Sequence, residues 1–209
     1  MGASPLTLDG FREATGVSRE TLARLRIYEA LLRKWQPSIN LVGPATLGDP
    51  WRRHFLDSAQ LSPLALSTGG TWVDVGSGAG FPGLVLAAMG LGHFHLVESD
   101  ARKAAFLREA AREMGVDVAI HAQRLDRVSR ETTGAVQGIT ARAFSSLSEV
   151  LVQTQHLAEE ATCFLLLVGR DAPRALTDAR KRWKMQADEF PSRSDPTSWV
   201  VRLQGVSRG

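Results

Sequence analysis

The sequence predicts an α/β protein: a mostly parallel sheet ending in an antiparallel hairpin and preceded by a helical N-terminal extension. Three observations predict it. From Thr71 onward, short apolar runs alternate with stretches of helical period, as a parallel sheet covered on both faces requires. The first run leads into a glycine-spaced turn, Gly76-Ser77-Gly78-Ala79-Gly80, and then a helix start with Pro82 at an early position. The last two runs are joined by Pro191-Ser-Arg-Ser-Asp-Pro196, too short for a crossover helix, so they must pair antiparallel.

The elements follow in order. Residues 18–35 form a helix, with Leu22, Leu25, Ile27, Leu31 and Leu32 near helical spacing and no internal glycine or proline. A turn-rich stretch follows at 37–44, then a second helix from about Pro50 to Leu61, and Ser67-Thr68-Gly69-Gly70 marks a linker. The expected division is a helical extension over 1–66, packed on the core, and a ligand-binding sheet domain over 67–209. Strands are expected at 72–75, 93–97, 118–121, 138–141 and 163–168, and a closing hairpin at 185–190 and 199–203. Helices are expected at 81–89, 100–114, a short one near 126–130, 147–157 and 172–183.

Composition narrows the class. A chain of 209 residues suits one domain with an appendage. No apolar run reaches membrane-spanning length, and Met1-Gly-Ala-Ser-Pro-Leu lacks the pattern of a signal peptide. The single cysteine, Cys163, sits in an apolar run and reads as a buried structural thiol, so the expected location is cytoplasmic. The net charge of +3 and pI near 9.5 permit a polyanionic partner without demanding one. Taken singly, arginine clusters such as Arg52-Arg53 and Arg180-Lys181-Arg182 read as solvated helix faces.

The glycine turn carries the chemistry. Glycines at alternate positions accept positive φ and bring backbone N–H groups close to a ligand. A dinucleotide fingerprint needs a glycine three residues after Gly78, where Phe81 stands. The pattern D-V-G-x-G-x-G, with Asp74 two residues before Gly76, instead resembles the first motif of the class I (Rossmann-like) S-adenosylmethionine-dependent methyltransferases. Ligands of open α/β sheets bind beyond the carboxyl ends of the strands. Gly76, Gly78 and Gly80 would then face the amino-acid part of the cofactor, and Glu98 its ribose hydroxyls. Leu125 would lie against the adenine and Asp126 near the exocyclic amine. Helix capping is the alternative for Glu98 and for Asp126, with Asp100 the expected cap of its helix. At the fourth strand's end, Arg142 suits a carboxylate, a phosphate or a base edge, with a surface ion pair as its alternative. The Pro-Pro-aromatic turn of amine-methylating enzymes is absent there. Cys163 is also misplaced for attack on a pyrimidine carbon.

Arg142-Ala143-Phe144-Ser145-Ser146-Leu147, with Asn40-Leu41 and His54-Phe55-Leu56-Asp57-Ser58, completes a set. The chain resembles the RsmG (GidB) family, bacterial methyltransferases that modify guanine N7 at one guanosine of small-subunit ribosomal RNA. The resemblance runs from about Trp35 to the C-terminus. It implies Gly76, Phe81, Leu125, Asp126 and Arg142 as cofactor contacts, Glu98 at the ribose, and Arg142, Asp57 and His54 as the catalytic set. Arg142 would position the base and Asp57 offset its developing charge, while His54 and Asp57 also read as a structural pair on one helix face. The implied cofactor is S-adenosylmethionine, with no metal. The implied partner is 16S ribosomal RNA or the small ribosomal subunit, bound by a monomer without a membrane. The target base would be unstacked and gripped by Phe144 or Trp35, both of which equally suit the core. Family members commonly carry a lysine where Val168 stands before Gly169, so Arg170 either supplies that charge from a shifted position or leaves the RNA contact weaker. Two rivals stand beside this reading, a nicotinamide oxidoreductase and a non-catalytic RNA-binding module.

Overall fold

The computed structural model describes residues 4–143 and 146–209, so the Phe144 expectation lies outside the described residues. The N-terminal part holds helices α1 (Leu8–Thr15), α2 (Arg19–Trp35) and the short α3 (Asp57–Ala59). A 3-10 turn at Pro44–Gly48 and a wide π-type turn at Trp51–Leu56 lead into α3. Then come β1 (Thr71–Val75), α4 (Gly83–Ala88), β2 (His93–Val97), α5 (Ala101–Met114), β3 (Val118–His121), α6 (Arg130–Thr133) and β4 (Val136–Arg142). The chain closes with α7 (Leu147–Thr154), β5 (Cys163–Val168), α8 (Ala172–Ala179), β6 (Trp183–Pro191) and β7 (Trp199–Arg208).

No helix is expected from the sequence at Leu8–Thr15, yet α1 forms there, with Leu8, Phe11 and Ala14 recurring every three residues and packed on the core. It forms because Thr7 caps the Gly10 N–H, Gly16 closes it in the left-handed region, and Phe11 docks edge-on against Trp51 at 5.0 Å. In α2 the buried face is Leu25, Tyr28, Leu31 and Leu32, and Ile27 is among the exposed large apolar side chains. The expected 50–61 helix is broken into the π-type turn and α3. A π turn widens the backbone by one residue and is common where side chains serve a site; here it carries His54.

Seven strands form one sheet in the order β3-β2-β1-β4-β5-β7-β6. β1 to β5 are parallel, and β7 runs antiparallel to both β5 and β6. One apolar layer joins α2, α4 and α5 to one sheet face; the other packs α7 and α8 on the opposite face. Cys163 is buried in β5, and burial raises its thiol pKa. Trp35 packs edge-on against Phe106 of α5 at 5.8 Å, which assigns it to the core rather than to a base clamp. No helix among the described residues is long and apolar enough to cross a membrane. The chain crosses from β3 to β4 over β1 and β2, so the order reverses between β1 and β4. In open α/β sheets that switch point opens a crevice at the strands' carboxyl ends.

Candidate active site

The register pairs Val75 with Ala141, which places the glycine turn after β1 beside Arg142 at the end of β4. Two clefts open there. One, of about 580 Å³, is lined by Gly76, Glu98, Leu125 and Asp126, by Val152 and Gln153 from α7, and by His156 just after it. The other, of about 370 Å³, is lined by Asp57, Arg142, Leu147, Leu166, Arg170 and Trp199 among others. Val75 borders the first cleft and its partner Ala141 the second, so the clefts are neighbours across the switch point.

In the turn, Gly76, Gly78 and Gly80 all have positive φ. Their surroundings differ. A Cβ on Gly78 would meet only the Gly76 carbonyl, at 3.8 Å, so its outer side is open to a ligand. A Cβ on Gly80 would fall 2.6 Å from Leu84 Cδ1 and 2.8 Å from the Tyr28 hydroxyl, so Gly80 serves packing. Glu98 is buried at the turn. Its Oε2 accepts the Gly78 N–H at 2.8 Å and its Oε1 accepts the Asp100 N–H at 2.7 Å. Asp100 is the cap of α5, accepting from the N–H groups of Arg102 and Lys103. A carboxylate has about four lone-pair sites, so Glu98 keeps acceptor capacity for two further donors in the cleft. Asp126 caps no helix among the described residues, and Arg124 lies 3.5 Å away from it. Leu125 presents a mostly buried apolar wall.

Phe81 lies inside the core, not on a cleft wall. Its ring stacks on Tyr28 at 5.0 Å and on His54 at 4.9 Å, with the Arg142 guanidinium 5.0 Å from its centroid. Arg142 is therefore no ordinary surface ion pair. Burial lowers its pKa, the Asp57 carboxylate opposes that, and guanidinium remains the charged form. Arg142 Nη1 lies 2.9 Å from His54 Nδ1 and 3.8 Å from Asp57 Oδ2. His54 and Asp57 thus converge on Arg142, where the sequence had left a pair bonded to one another as an alternative. Burial, then the Arg142 and Arg53 charges, lower the His54 pKa to about 3, so the ring is neutral. Burial raises the Asp57 pKa, while the Ser194 hydroxyl bonded to Oδ1 and the Arg142 charge oppose the rise.

Around these residues stand several supports, of which only Asp74 belongs to a motif read from the sequence. Asp74 is buried under the turn; Thr140 donates to its Oδ1 at 2.7 Å, and Oδ2 has no hydrogen-bond partner among the described residues. Burial raises its pKa to about 6. The β6–β7 loop is tied to the N-terminal helices. Gln60 donates to Asp57 and Ser192 and accepts from the Arg193 N–H, while Arg53 pairs with Asp195 at 2.9 Å. Ala143, after Arg142, has φ 58, a left-handed conformation that a non-glycine residue adopts at some cost in strain. The 3-10 residue Thr46 reaches the far nitrogen of His54 at 2.7 Å. The contacts of Thr140 with Asp74, of Ser192 and Arg193 with Gln60 and of Asp195 with Arg53 join elements far apart in the chain.

The donor set suits a nucleoside cofactor. Gly78 leaves room against the turn, Glu98 offers paired acceptors, and Leu125 with Val152 offers apolar walls for a ring. Among the described residues no three His, Cys, Asp or Glu side chains cluster as metal ligands would.

Comparison with known proteins agrees with this geometry. The family model described as "rRNA small subunit methyltransferase G" matches residues 21–194. The chain is 50% identical over 197 residues to the ribosomal RNA small subunit methyltransferase G of Rhodospirillum centenum, covering 94% of this chain and 90% of that protein. It is 52% identical to the protein of the same name from Paramagnetospirillum magneticum, covering 93% and 94%. Among solved structures, a mutant of MtNAS in complex with S-adenosylmethionine aligns with TM-score 0.59 at 14% identity, over 96% of this chain and 84% of that one. TYW2 of P. horikoshii in complex with MeSAdo aligns with TM-score 0.54 at 16% identity, over 80% and 63%. At such identities these two show the fold alone, the class I methyltransferase arrangement. The turn, the convergent Arg142 and the near-full-length relatives lead to one conclusion: the chain belongs to the rRNA small subunit methyltransferase G family, the S-adenosylmethionine-dependent methyltransferases of small-subunit ribosomal RNA.

Proposed function

We propose that this protein methylates guanine N7 at one guanosine of 16S ribosomal RNA. The cofactor would occupy the larger cleft and the target base the smaller one. The observation that carries this reading is the adjacency of the two clefts, with Arg142 lining the smaller one and, among the described residues, His54 and Asp57 turned toward it. His54 is neutral, but its Nδ1 lone pair is taken by Arg142. Asp57 is held by Ser194 and Gln60 and faces Arg142. N7 carries a lone pair and no proton, so its alkylation needs none removed. When bound, S-adenosylmethionine supplies an electrophilic methyl on a cationic sulfonium. Gly76, Gly78 and Glu98 would hold it, with Leu125 and Val152 against the adenine and Asp126 at the ring's amine.

Arg142 would donate to the base edge and orient N7, so that rate comes from alignment before reaction. Asp57 would offset the positive charge that develops on the ring. Arg170 lines the same cleft and can supply the cation that the chain lacks at Val168. The test is incubation of the protein with radiolabelled S-adenosylmethionine and small subunits from a strain lacking it, followed by mapping of the labelled nucleotide. Label on N7 of a single guanosine supports the reading. Label on an exocyclic amine or a ribose hydroxyl refutes it, since those targets must lose a proton in the course of transfer and N7 does not.

A further inference from the structure

An arginine side chain carries five N–H donors and no acceptor. Arg142 Nη1 stands 2.9 Å from His54 Nδ1, so that nitrogen presents its lone pair and the ring proton lies on Nε2. His54 Nε2 stands 2.7 Å from Thr46 Oγ1, and the Thr46 hydroxyl donates to the Gly43 carbonyl at 2.6 Å. The hydrogen bonds therefore have one consistent direction. Arg142 donates to His54, His54 to Thr46, and Thr46 to the Gly43 backbone. The opposite tautomer would set an imidazole N–H against a guanidinium N–H.

We propose that Thr46 is a positioning residue of the active site, whose hydroxyl selects the Nε2–H tautomer of His54 and so holds the Arg142 guanidinium at the methyl-acceptor cleft. The proposal rests on the reading of Arg142 as the group that orients the base. Thr46 itself lines neither cleft and touches neither ligand site. Among the described residues, the other neighbours of Arg142 do not fix its rotation. Asp57 Oδ2 is 3.8 Å away, beyond hydrogen-bond length, and the Phe81 ring offers a face 5.0 Å from the guanidinium carbon. The bond to His54 is the short directional contact, and it exists for one tautomer alone. Because the ring stays neutral far below physiological pH, the tautomer rather than the charge is the variable that Thr46 controls.

The experiment pairs nitrogen-15 NMR of the His54 ring with single-turnover methyl transfer to small subunits. The native protein should show His54 protonated on Nε2 throughout pH 6–8. Thr46→Val, which keeps the shape and removes the acceptor, should populate the other tautomer and cut the transfer rate about tenfold, with cofactor Kd within twofold. Thr46→Ser should restore both tautomer and rate. A native His54 protonated on Nδ1 overturns the proposal, and so does a Thr46→Val protein that transfers methyl at the native rate. Should Thr46→Val fail to fold, the native spectrum and the Thr46→Ser rate decide by the same criteria. A native protein that does not methylate small subunits refutes the functional reading instead, while the tautomer measurement still tests the relay.

Discussion

Replacement of Glu98 is expected to damage cofactor binding and fold stability together. In the structure its two oxygens brace the backbone N–H groups of Gly78 and Asp100, at 2.8 and 2.7 Å, from a buried position. A hydrogen bond to a charged group contributes about 1.5–3 kcal/mol when its partner would otherwise go unsatisfied. The Gly78 N–H belongs to a turn that is open on its outer side, so water can replace the carboxylate there. The net stability loss of Glu98→Ala should therefore be about 1–2 kcal/mol. Cofactor binding loses more, because the acceptors for the ribose hydroxyls go and the turn loses its brace. About 2–3 kcal/mol corresponds to a roughly 30- to 150-fold rise in Kd. Glu98→Gln is no neutral control, since its amide must turn an N–H toward one of the two backbone donors. It should lie between native and alanine in both measurements. Calorimetric titration with S-adenosylhomocysteine and urea unfolding read the two effects separately. An alanine variant that binds within twofold of native while its urea midpoint falls would show that the carboxylate only braces the turn, and the ribose assignment would fail.

The remaining predictions concern the turn, the arginine and acid stability. Gly80→Ala should cost about 2–3 kcal/mol or more in urea unfolding, because its Cβ would fall 2.6 Å from Leu84 Cδ1 at φ +94. Gly78→Ala, with room at φ +56, should lose only about 1 kcal/mol of stability yet bind S-adenosylhomocysteine poorly; equal stability losses would refute the distinction. Arg142→Lys keeps the charge but loses the fork that meets His54, so single-turnover transfer should fall about 100-fold with a pH profile that stays flat from 6 to 9. A titrating limb that vanishes in Asp57→Asn would mean that a general base is at work. His54, with a folded pKa of about 3 against 6.5 unfolded, takes up a proton on unfolding throughout that window. Its contribution to stability is thus complete above pH 6.5 and lost as pH falls, by up to about 1.4 kcal/mol per pH unit. His95, lowered to about 4, acts in the same direction, while Asp74, raised from 3.8 to about 6, opposes them between those values. His54→Gln should flatten the loss of urea midpoint between pH 6.5 and 5, and an unchanged slope would show that His54 is not its source.

The sequence by itself determined the sheet and the place of the site along the chain. Strand-like runs such as Cys163–Val168 are continuous and apolar because both faces are covered, and the glycine spacing after β1 marks a strand-to-helix turn of positive φ. Alternation and turn chemistry are local properties, so they survive reading one residue at a time. Helix α1 was not legible, because eight residues are too few for periodicity to decide, and so short a helix is held by docking Phe11 on Trp51. Nor was the division of labour within the turn, where Gly78 faces open space and Gly80 faces Leu84 and Tyr28. Only the tertiary structure decided how Arg142 is held. His54 stands 88 positions before it, Thr46 lies on another turn, and Ser194 reaches Asp57 from the C-terminal hairpin. The direction of a proton on an imidazole depends on which donors and acceptors the fold brings to its two nitrogens, and no spacing of residues along the chain encodes that.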